Sequence, residues 1–377
     1  MKRLTHLLPL LASSMLLFGC GMLGAQEDVP PADTAETSSE SVDTTDTGAD
    51  TSDTTDTSKN EPEDLVEYYK PHYPDHRYEF VGEGNEFASY WMYPQYVTDT
   101  HIQFAMNNGG TQTVRVYEYT ENELREVFVR NETYFRENFI ERLDQLESEQ
   151  PEEIILQGPL EVGHSWESPS GSVSEITDLR APVDILFGSF EAVEVTTTRD
   201  DTTTRQYFVH EIGLIKSEFE NADGSIVTSE LERAIEEPET QTIQVYYPDD
   251  QALGLDTSQM ELSFQTNDVT REVLAAALKD IPDYTGDGLI GPNVTINYLY
   301  LNEDGRVYVD FSRELVEEMN AGSGTEMLIL QAIVNTIGEY YGVEEVVLTV
   351  EGNPYESGHI LMEAGQAFEV DHSQVNE

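Results

Sequence analysis

One cysteine, Cys20, in a chain of 377 residues removes the covalent ways of holding a fold together. No intramolecular disulfide, thiol pair or multi-cysteine zinc knot can form. Whatever folds must do so by burying apolar surface, and a hydrophobic content of 38% supplies that once polar segments are set aside. The length suggests about two domains of ordinary size. Charge narrows the partners. With 74 Asp and Glu against 19 Lys and Arg, the surface repels polyphosphates, whose binding depends on Lys and Arg displacing condensed counterions. Nucleic acid is excluded. The few cations are mostly arginine, 14 Arg to 5 Lys.

The cysteine closes an N-terminal address. Lys2 and Arg3 precede an apolar run from Leu7 to Phe18, broken by Pro9 and Ser13-Ser14. Residues 1–19 have the pattern of a secretory signal, too short to cross a hydrocarbon core of roughly 30 Å as a mature helix. Leu17-Phe18-Gly19-Cys20 resembles the lipobox of bacterial lipoproteins. The resemblance implies lipidation of Cys20, cleavage before it, and anchoring to the outer face of the cell membrane by two or three acyl chains, since one chain alone is marginal. Residues 20–64 are mostly Asp, Glu, Ser and Thr, as in Asp43-Thr44-Thr45-Asp46. Such a segment cannot bury enough apolar area to offset its ordering entropy, and it is expected to be a disordered, self-repelling tether. No later segment is long and apolar enough to span a membrane.

Two folded regions follow, giving an α+β chain. Residues 65–236 alternate β-branched and aromatic runs with turn signals. His101–Met106, Asn107–Gly110 and Thr113–Tyr119 form a hairpin pattern. Further strands are expected at Phe190–Thr197, Thr203–His210, Gly213–Glu220 and Ser225–Glu230, with a tight turn at Asn221–Gly224. Asn131–Glu149 is predicted as a helix. The region is a mainly antiparallel β domain, with a loose resemblance to β-rich domains of Gram-positive surface lipoproteins around Gly158–Trp166 and Phe187–Val195. Tyr68, Tyr69, Tyr73 and Tyr78, together with Trp91 and Trp166, are expected in its core.

An acidic linker, Glu236–Thr240, precedes residues 241–369, and 370–377 form a tail. Here Thr242–Pro248 is a predicted strand, and Asp268 caps a helix over Val269–Lys279. Val294–Leu301 and Arg306–Phe311 form a hairpin about an Asn302–Gly305 turn. Ser323 and Glu326 make a capping box for a helix over Gly324–Tyr340, whose Leu330, Ile333, Val334 and Ile337 face a core. Glu344–Val350 is the last strand. The arrangement predicted is a small sandwich of two helices on a sheet.

From Gln244 to Met362 the chain resembles a GerMN domain, the module named for a spore-germination lipoprotein. The residues carrying the match are Val245-Tyr-Tyr-Pro248, Val309-Asp-Phe-Ser312, Gly322-Ser323 with Glu326, Gln331–Thr336, Gly342–Val346, Glu351-Gly352 and Gly358-His359. The stretch Asp280–Pro292 departs from the family, which usually makes a brief Gly-Pro turn there. The resemblance implies a non-catalytic interaction protein in sporulation, germination or cell-wall-associated assembly. Its implied partners are envelope proteins or peptidoglycan. The signature positions Asp310, Ser312, Glu326, Asn335, Thr336, Gly352, Gly358 and His359 are expected to be structural or to touch a partner. Val309 and Phe311 are expected to point inward and Asp310 outward. Asn335 and Thr336, poorly suited to a helix interior, either satisfy buried backbone or meet a partner.

The motifs assign no catalytic residue, metal site or cofactor. Asp283 to Gly288 imitates the start of an EF-hand, but position twelve is Val294 where a bidentate carboxylate is required. His72 and His76 lie four apart, yet Pro71 and Pro74 exclude a regular helix through them. A Ser357/His359 dyad lacks any identifiable oxyanion element. The alternative function is an accessory factor or hydrolase acting on cell-wall glycan, with carboxylates as acid and base. Thirteen of the acidic residues lie in the tether, so the folded part is itself heavily acidic. That predicts an exterior suited to high salt or high pH, where Arg keeps its proton when Lys begins to lose it.

Overall fold

The computed structural model describes residues 66–71, 73–286 and 288–376. The signal, Cys20, the tether, His72 and Asp287 lie outside them. Twelve strands form the first region: β1 (His76–Glu83), β2 (Tyr90–Val97), β3 (His101–Asn107), β4 (Gln112–Tyr119), β5 (Glu123–Arg130) and β6 (Glu153–Gln157). They continue as β7 (Ser165–Glu167), β8 (Val173–Ile185), β9 (Gly188–Arg199), β10 (Thr202–Val209), β11 (Gly213–Glu220) and β12 (Ile226–Glu236). All pair antiparallel in one sheet, in the order β6-β5-β4-β3-β2-β1-β12-β11-β10-β9-β8-β7. The sheet curls until its two edge strands nearly meet. Ser168 Oγ accepts the Ile154 N–H at 3.0 Å and the Trp166 indole donates to the Ile154 carbonyl at 2.8 Å. Curling covers edges that would otherwise template aggregation.

The alternation that makes these strands also fills the sheet's inner face. Phe80, Phe104, Leu156, Ile176, Val195, Phe208 and Leu231 are buried in one cluster. Trp166 and Tyr78 belong to it, whereas Tyr73 is exposed and Trp91 is half-buried beneath Arg77. The turns at Asn107–Gly110 and Asn221–Gly224 close hairpins as expected, Gly224 taking φ +81°.

The second region begins with the hairpin β13 (Glu239–Pro248) and β14 (Leu255–Phe264). Then come α1 (Thr270–Lys279), β15 (Ile296–Leu301), β16 (Val307–Phe311), the single-turn α2 (Glu314–Glu317) and α3 (Ser323–Tyr341). Three short strands finish it: β17 (Glu345–Val350), β18 (Asn353–Pro354) and β19 (Phe368–Glu369). In this mixed sheet β15 and β16 are antiparallel, while β16 and β17 are parallel and joined through α3. A parallel pair needs such a crossover. Leu330, Ile333, Val334 and Ile337 are fully buried on one face of α3. Among the described residues no helix is long and apolar enough to cross a membrane.

The two regions share a core. Val114, Val116, Phe128, Phe135 and Phe139 pack in one cluster with Val245, Phe264, Leu278, Val309 and Ile337. The outer face of β2 to β5 is therefore covered, with Val114, Val116 and Phe128 in the shared core and Gln95 and Gln103 buried beside them.

Local expectations failed where tertiary partners claimed the groups involved. Asn131–Glu149 is an extended strap carrying one 3-10 turn, Ile140–Gln145. Its backbone bonds are spent at long range: the Arg136 N–H donates to the Tyr340 hydroxyl at 2.9 Å, and the Phe139 N–H to Gln103 Oε1 at 2.9 Å. Asp268 does not cap α1, because its carboxylate accepts the Gln265 N–H at 2.7 Å and Val269 occupies the cap. No capping box forms at α3: Gly322 is the cap, and the Glu326 side chain is held elsewhere. Asp310 lies on the face of the sheet opposite Val309 and Phe311, yet it is buried.

Candidate functional site

The signature residues are organised as internal struts. Asp310 on β16 accepts hydrogen bonds from the Gly352 N–H at 2.7 Å, Thr349 Oγ1 at 2.6 Å and Asn297 Nδ2 at 2.8 Å. Gly352 can present its N–H because it and Glu351 both take positive φ, +73° and +52°, in the tight turn between β17 and β18, a conformation that favours glycine. Ser312 Oγ accepts the Thr295 N–H at 3.1 Å. Asn335 is fully buried and clamps the C-terminal segment, donating to the Asp371 carbonyl at 2.8 Å and accepting its N–H at 3.0 Å. Thr336 accepts the Tyr246 N–H at 3.1 Å. These side chains bond backbone groups of other segments, Thr336 meeting the buried Tyr246 and Asn335 the exposed Asp371.

Glu326 ties α3 to the loop that follows β18. Its carboxylate accepts from Tyr355 OH at 2.9 Å and from His359 Nδ1 at 2.7 Å. Burial works against its ionisation, but hydrogen bonds from Ser357, His359 and Tyr355 prevail and hold it below the ordinary value of 4.5. Ser357 Oγ accepts the His359 and Ile360 N–H groups, both at 3.1 Å, so it is the stem of a loop turn. Gly358 lies beside it, with open space where a Cβ would project. In the Asp283 loop, Val294 is fully buried and Leu289 and Ile290 are tucked into the core. Among the described residues no group of three or more His, Cys, Asp or Glu is placed to hold a metal ion.

The junction between the regions holds what the sequence did not single out. Arg136 is fully buried. Its NH1 pairs with Glu239 Oε2 at 2.7 Å, and its NH2 donates to the carbonyls of Gln95 at 2.7 Å and Gln265 at 2.9 Å. The guanidinium lies between the Tyr96 and Phe264 rings, 4.7 and 4.9 Å from their centroids. Gln95 completes the network by donating to Glu239 and accepting from Gln103.

About one turn along the strap, the same junction opens into a cavity of about 150 Å³. The strap contributes Glu137, Asn138 and Arg142; α1, α3 and β15 contribute Arg271, Tyr341 and Tyr300. Glu137 is occupied: Arg142 NH1 donates to it at 2.8 Å and the Leu301 N–H at 2.9 Å. Burial nonetheless pushes its carboxyl above the ordinary range. Arg142 stacks on Tyr300, 4.5 Å from the ring centroid. Two polar atoms here are buried and lack a hydrogen-bond partner among the described residues, Asn138 Oδ1 and the Tyr341 hydroxyl. A larger groove of about 660 Å³ runs beside Leu315, Met319 and Ile329, with no such unpartnered atom on it.

Residues 244–356 match the Germane family, described as sporulation and spore germination. Among solved structures, the tandem GerMN domains of the sporulation protein GerM from Bacillus subtilis match at 18% identity over 31% of this chain and 41% of that one, with a TM-score of 0.24. A protein described as a lipoprotein from Clostridium perfringens matches at 15% identity over 35% of this chain and 88% of that one, TM-score 0.23. A protein described as exported, with a YmcC-like fold, from Bacteroides fragilis matches at 9% identity over 45% and 99%, TM-score 0.28. No curated protein matches the chain. The segment from 244 to 356 is thus a Germane domain, the module whose signature runs through the struts described above.

Proposed function

We propose that this chain, whose residues 244–356 form a Germane domain, is a lipid-anchored extracytoplasmic binding protein without catalytic activity. It would be held by Cys20 and act on envelope proteins or peptidoglycan in sporulation, germination or cell-wall-associated assembly. The observation that carries this reading is the fate of the signature polar groups: Asp310, Glu326, Asn335 and Thr336 are all buried and hydrogen-bonded within the chain. Groups committed in this way stabilise a scaffold, and the working part is then a surface. The N-terminal signal pattern and the Leu17–Cys20 lipobox resemblance support the location.

Two measurements test it. Metabolic labelling with palmitate is expected to mark the chain, and Cys20→Ala to abolish the label and release the protein into the medium. The full chain in detergent is expected to be retained on purified peptidoglycan or to co-isolate with envelope proteins without releasing muropeptides. Muropeptide release that disappears on replacing one Asp or Glu would establish the hydrolase instead.

A further inference from the structure

We propose that the space inside the curled sheet binds one neutral single-chain lipid of the monoacylglycerol class, with its tail in the interior and its hydroxylated head at the mouth. This goes beyond the anchored binding protein above, whose partners meet an outer surface.

The space has two chambers. The inner one, of about 80 Å³, is walled chiefly by Met92, Phe104, Met106, Leu124, Phe208 and Leu214. The outer one, of about 270 Å³, lies between β6 and the β9–β10 hairpin and is lined by Ser172, Thr197, Thr202 and Thr204. Ile155 and Gln206 line both, so the chambers adjoin. Side chains alternate faces along β10, and Phe208 belongs to the core inside the sheet, which puts Thr202, Thr204 and Gln206 on the inner face with it. At the rise of a strand, the track from Thr202 to Phe208 is ~20 Å long.

Polarity changes along that track. Burial pushes the Tyr90 and Tyr119 phenols, which also line the inner chamber, well above their ordinary value, as a poorly hydrated space does. The inner volume is about half that of the dry apolar cavity, on the order of 150 Å³, that takes a benzene ring. An unbranched carbon chain fits it and a ring does not. Half of a hydrocarbon core of roughly 30 Å is the depth of one long acyl chain, so ~20 Å holds a glycerol head and a chain of medium length.

The neck and mouth set the head. The Gln206 amide and the Thr204 hydroxyl make no hydrogen bond among the described residues, and neither is one of the enclosed side-chain atoms left without a partner, so both face the open space. An amide gives hydrogen bonds and takes them. A carboxylate only takes and an ammonium only gives, whereas the hydroxyls of a glycerol ester do both. Charge points the same way. The mouth carries one cation and one anion, Arg199 and Glu153, and Glu153 already accepts the Ser172 hydroxyl. The chain as a whole carries −55, so an anionic head is repelled before it arrives.

The test is calorimetric titration of the full chain carrying Cys20→Ala, which needs no detergent whether or not Cys20 is lipidated. The probe is 1-decanoylglycerol below its aggregation concentration, with decanoate and decyltrimethylammonium as charged controls. One saturable site is expected for the glyceride, about fivefold or more tighter than for either control. The acidic surface favours the cation, so adsorption outside the sheet would reverse that order. Met106→Trp fills the inner chamber and is expected to weaken binding about tenfold. Gln206→Leu removes the amide at nearly constant volume and is expected to weaken it about fivefold to tenfold, with thermal stability unchanged or raised. Absence of a saturable site, tighter binding of either control, or glyceride affinity untouched in either variant would each overturn the proposal. Lipid labelling and wall retention do not bear on these outcomes, so this test fails or succeeds separately from the anchored binding protein above.

Discussion

Two stretches of one interface differ in how fully their buried polar groups are paired. At Arg136 the charge is paired with Glu239 through NH1, NH2 reaches two backbone carbonyls, and aromatic rings lie close to the guanidinium, leaving Nε as its one nitrogen without a partner among the described residues. Close by, Asn138 Oδ1 and the Tyr341 hydroxyl are buried and make no hydrogen bond among the described residues. A buried charge held by several partners in low dielectric fixes one arrangement of the parts, whereas buried groups with few partners add nothing to hold it. The first locks the curled sheet to the Germane domain.

The contrast can be broken most forcefully at Arg136. Arg136→Ala leaves Glu239 buried without its cation, and removing one member of a buried pair costs about 3–5 kcal/mol. Urea unfolding is expected to register that loss. A cost near zero would mean that the junction does not hold the regions together.

Next in size is the strut on β16. Asp310→Ala strands the Gly352 N–H, Thr349 and Asn297, and is expected to cost about 2–3 kcal/mol. The same scan reads it.

A pH series sharpens the comparison at the level of single carboxylates. Glu326 is held below 4.5 in the folded chain, so its contribution is complete above the unfolded value and is lost as pH falls through the folded one. Glu137 is raised, and its contribution has the opposite sign: complete below the unfolded value and lost as pH rises through the folded one. Glu326→Gln is therefore expected to flatten the acid limb of the stability curve, and Glu137→Gln to remove a loss that the wild type shows on going from acid toward neutral pH. Identical responses from the two variants would contradict the assigned environments.

The smallest effect is diffuse. Carboxylates crowd a surface where several arginines are already paired, as Arg77 with Glu79 and Glu237 and Arg125 with Glu123 and Glu152. Screening the remaining repulsion is expected to raise Tm steadily with salt. Maximum stability in dilute buffer would refute the expectation of a high-salt exterior.

Periodicity was a good guide wherever a group's partner lies nearby in sequence. The hairpin at Asn107–Gly110, the Asn302–Gly305 turn and the apolar face of α3 are all local or face-forming features, and the string of Germane residues identified the second region. It misled where partners are distant. Asn131–Glu149 is rich in Glu, Arg, Leu and Gln, which favour helix, but Tyr340 and Gln103 take its backbone groups from 204 and 36 residues away. The second strand, β2, was hidden by Pro94, which sits where the register with β3 shifts and whose carbonyl accepts from Thr266. β14 was hidden by its polar alternation, since only Leu255, Leu262 and Phe264 are buried.

The candidate cavity had a thinner signal. Tyr298 and Tyr300 two apart, with Tyr308 across the hairpin, mark an aromatic face by period two. Nothing near Asn138 or Tyr341 in the sequence announces that the two converge.

The claim on which the account depends is that sheet and Germane domain are one cooperative structure with a persistent junction. Native-state hydrogen exchange on the full chain, comparing amides of β3 and β4 with those of α3, tests it most directly. One common opening free energy is expected for both sets in the wild type, and separate values in Arg136→Ala. Wild-type α3 amides that stay protected through an opening in which β3 and β4 exchange freely would contradict it, because the regions would then fold apart and the cavity between them would not be a lasting site.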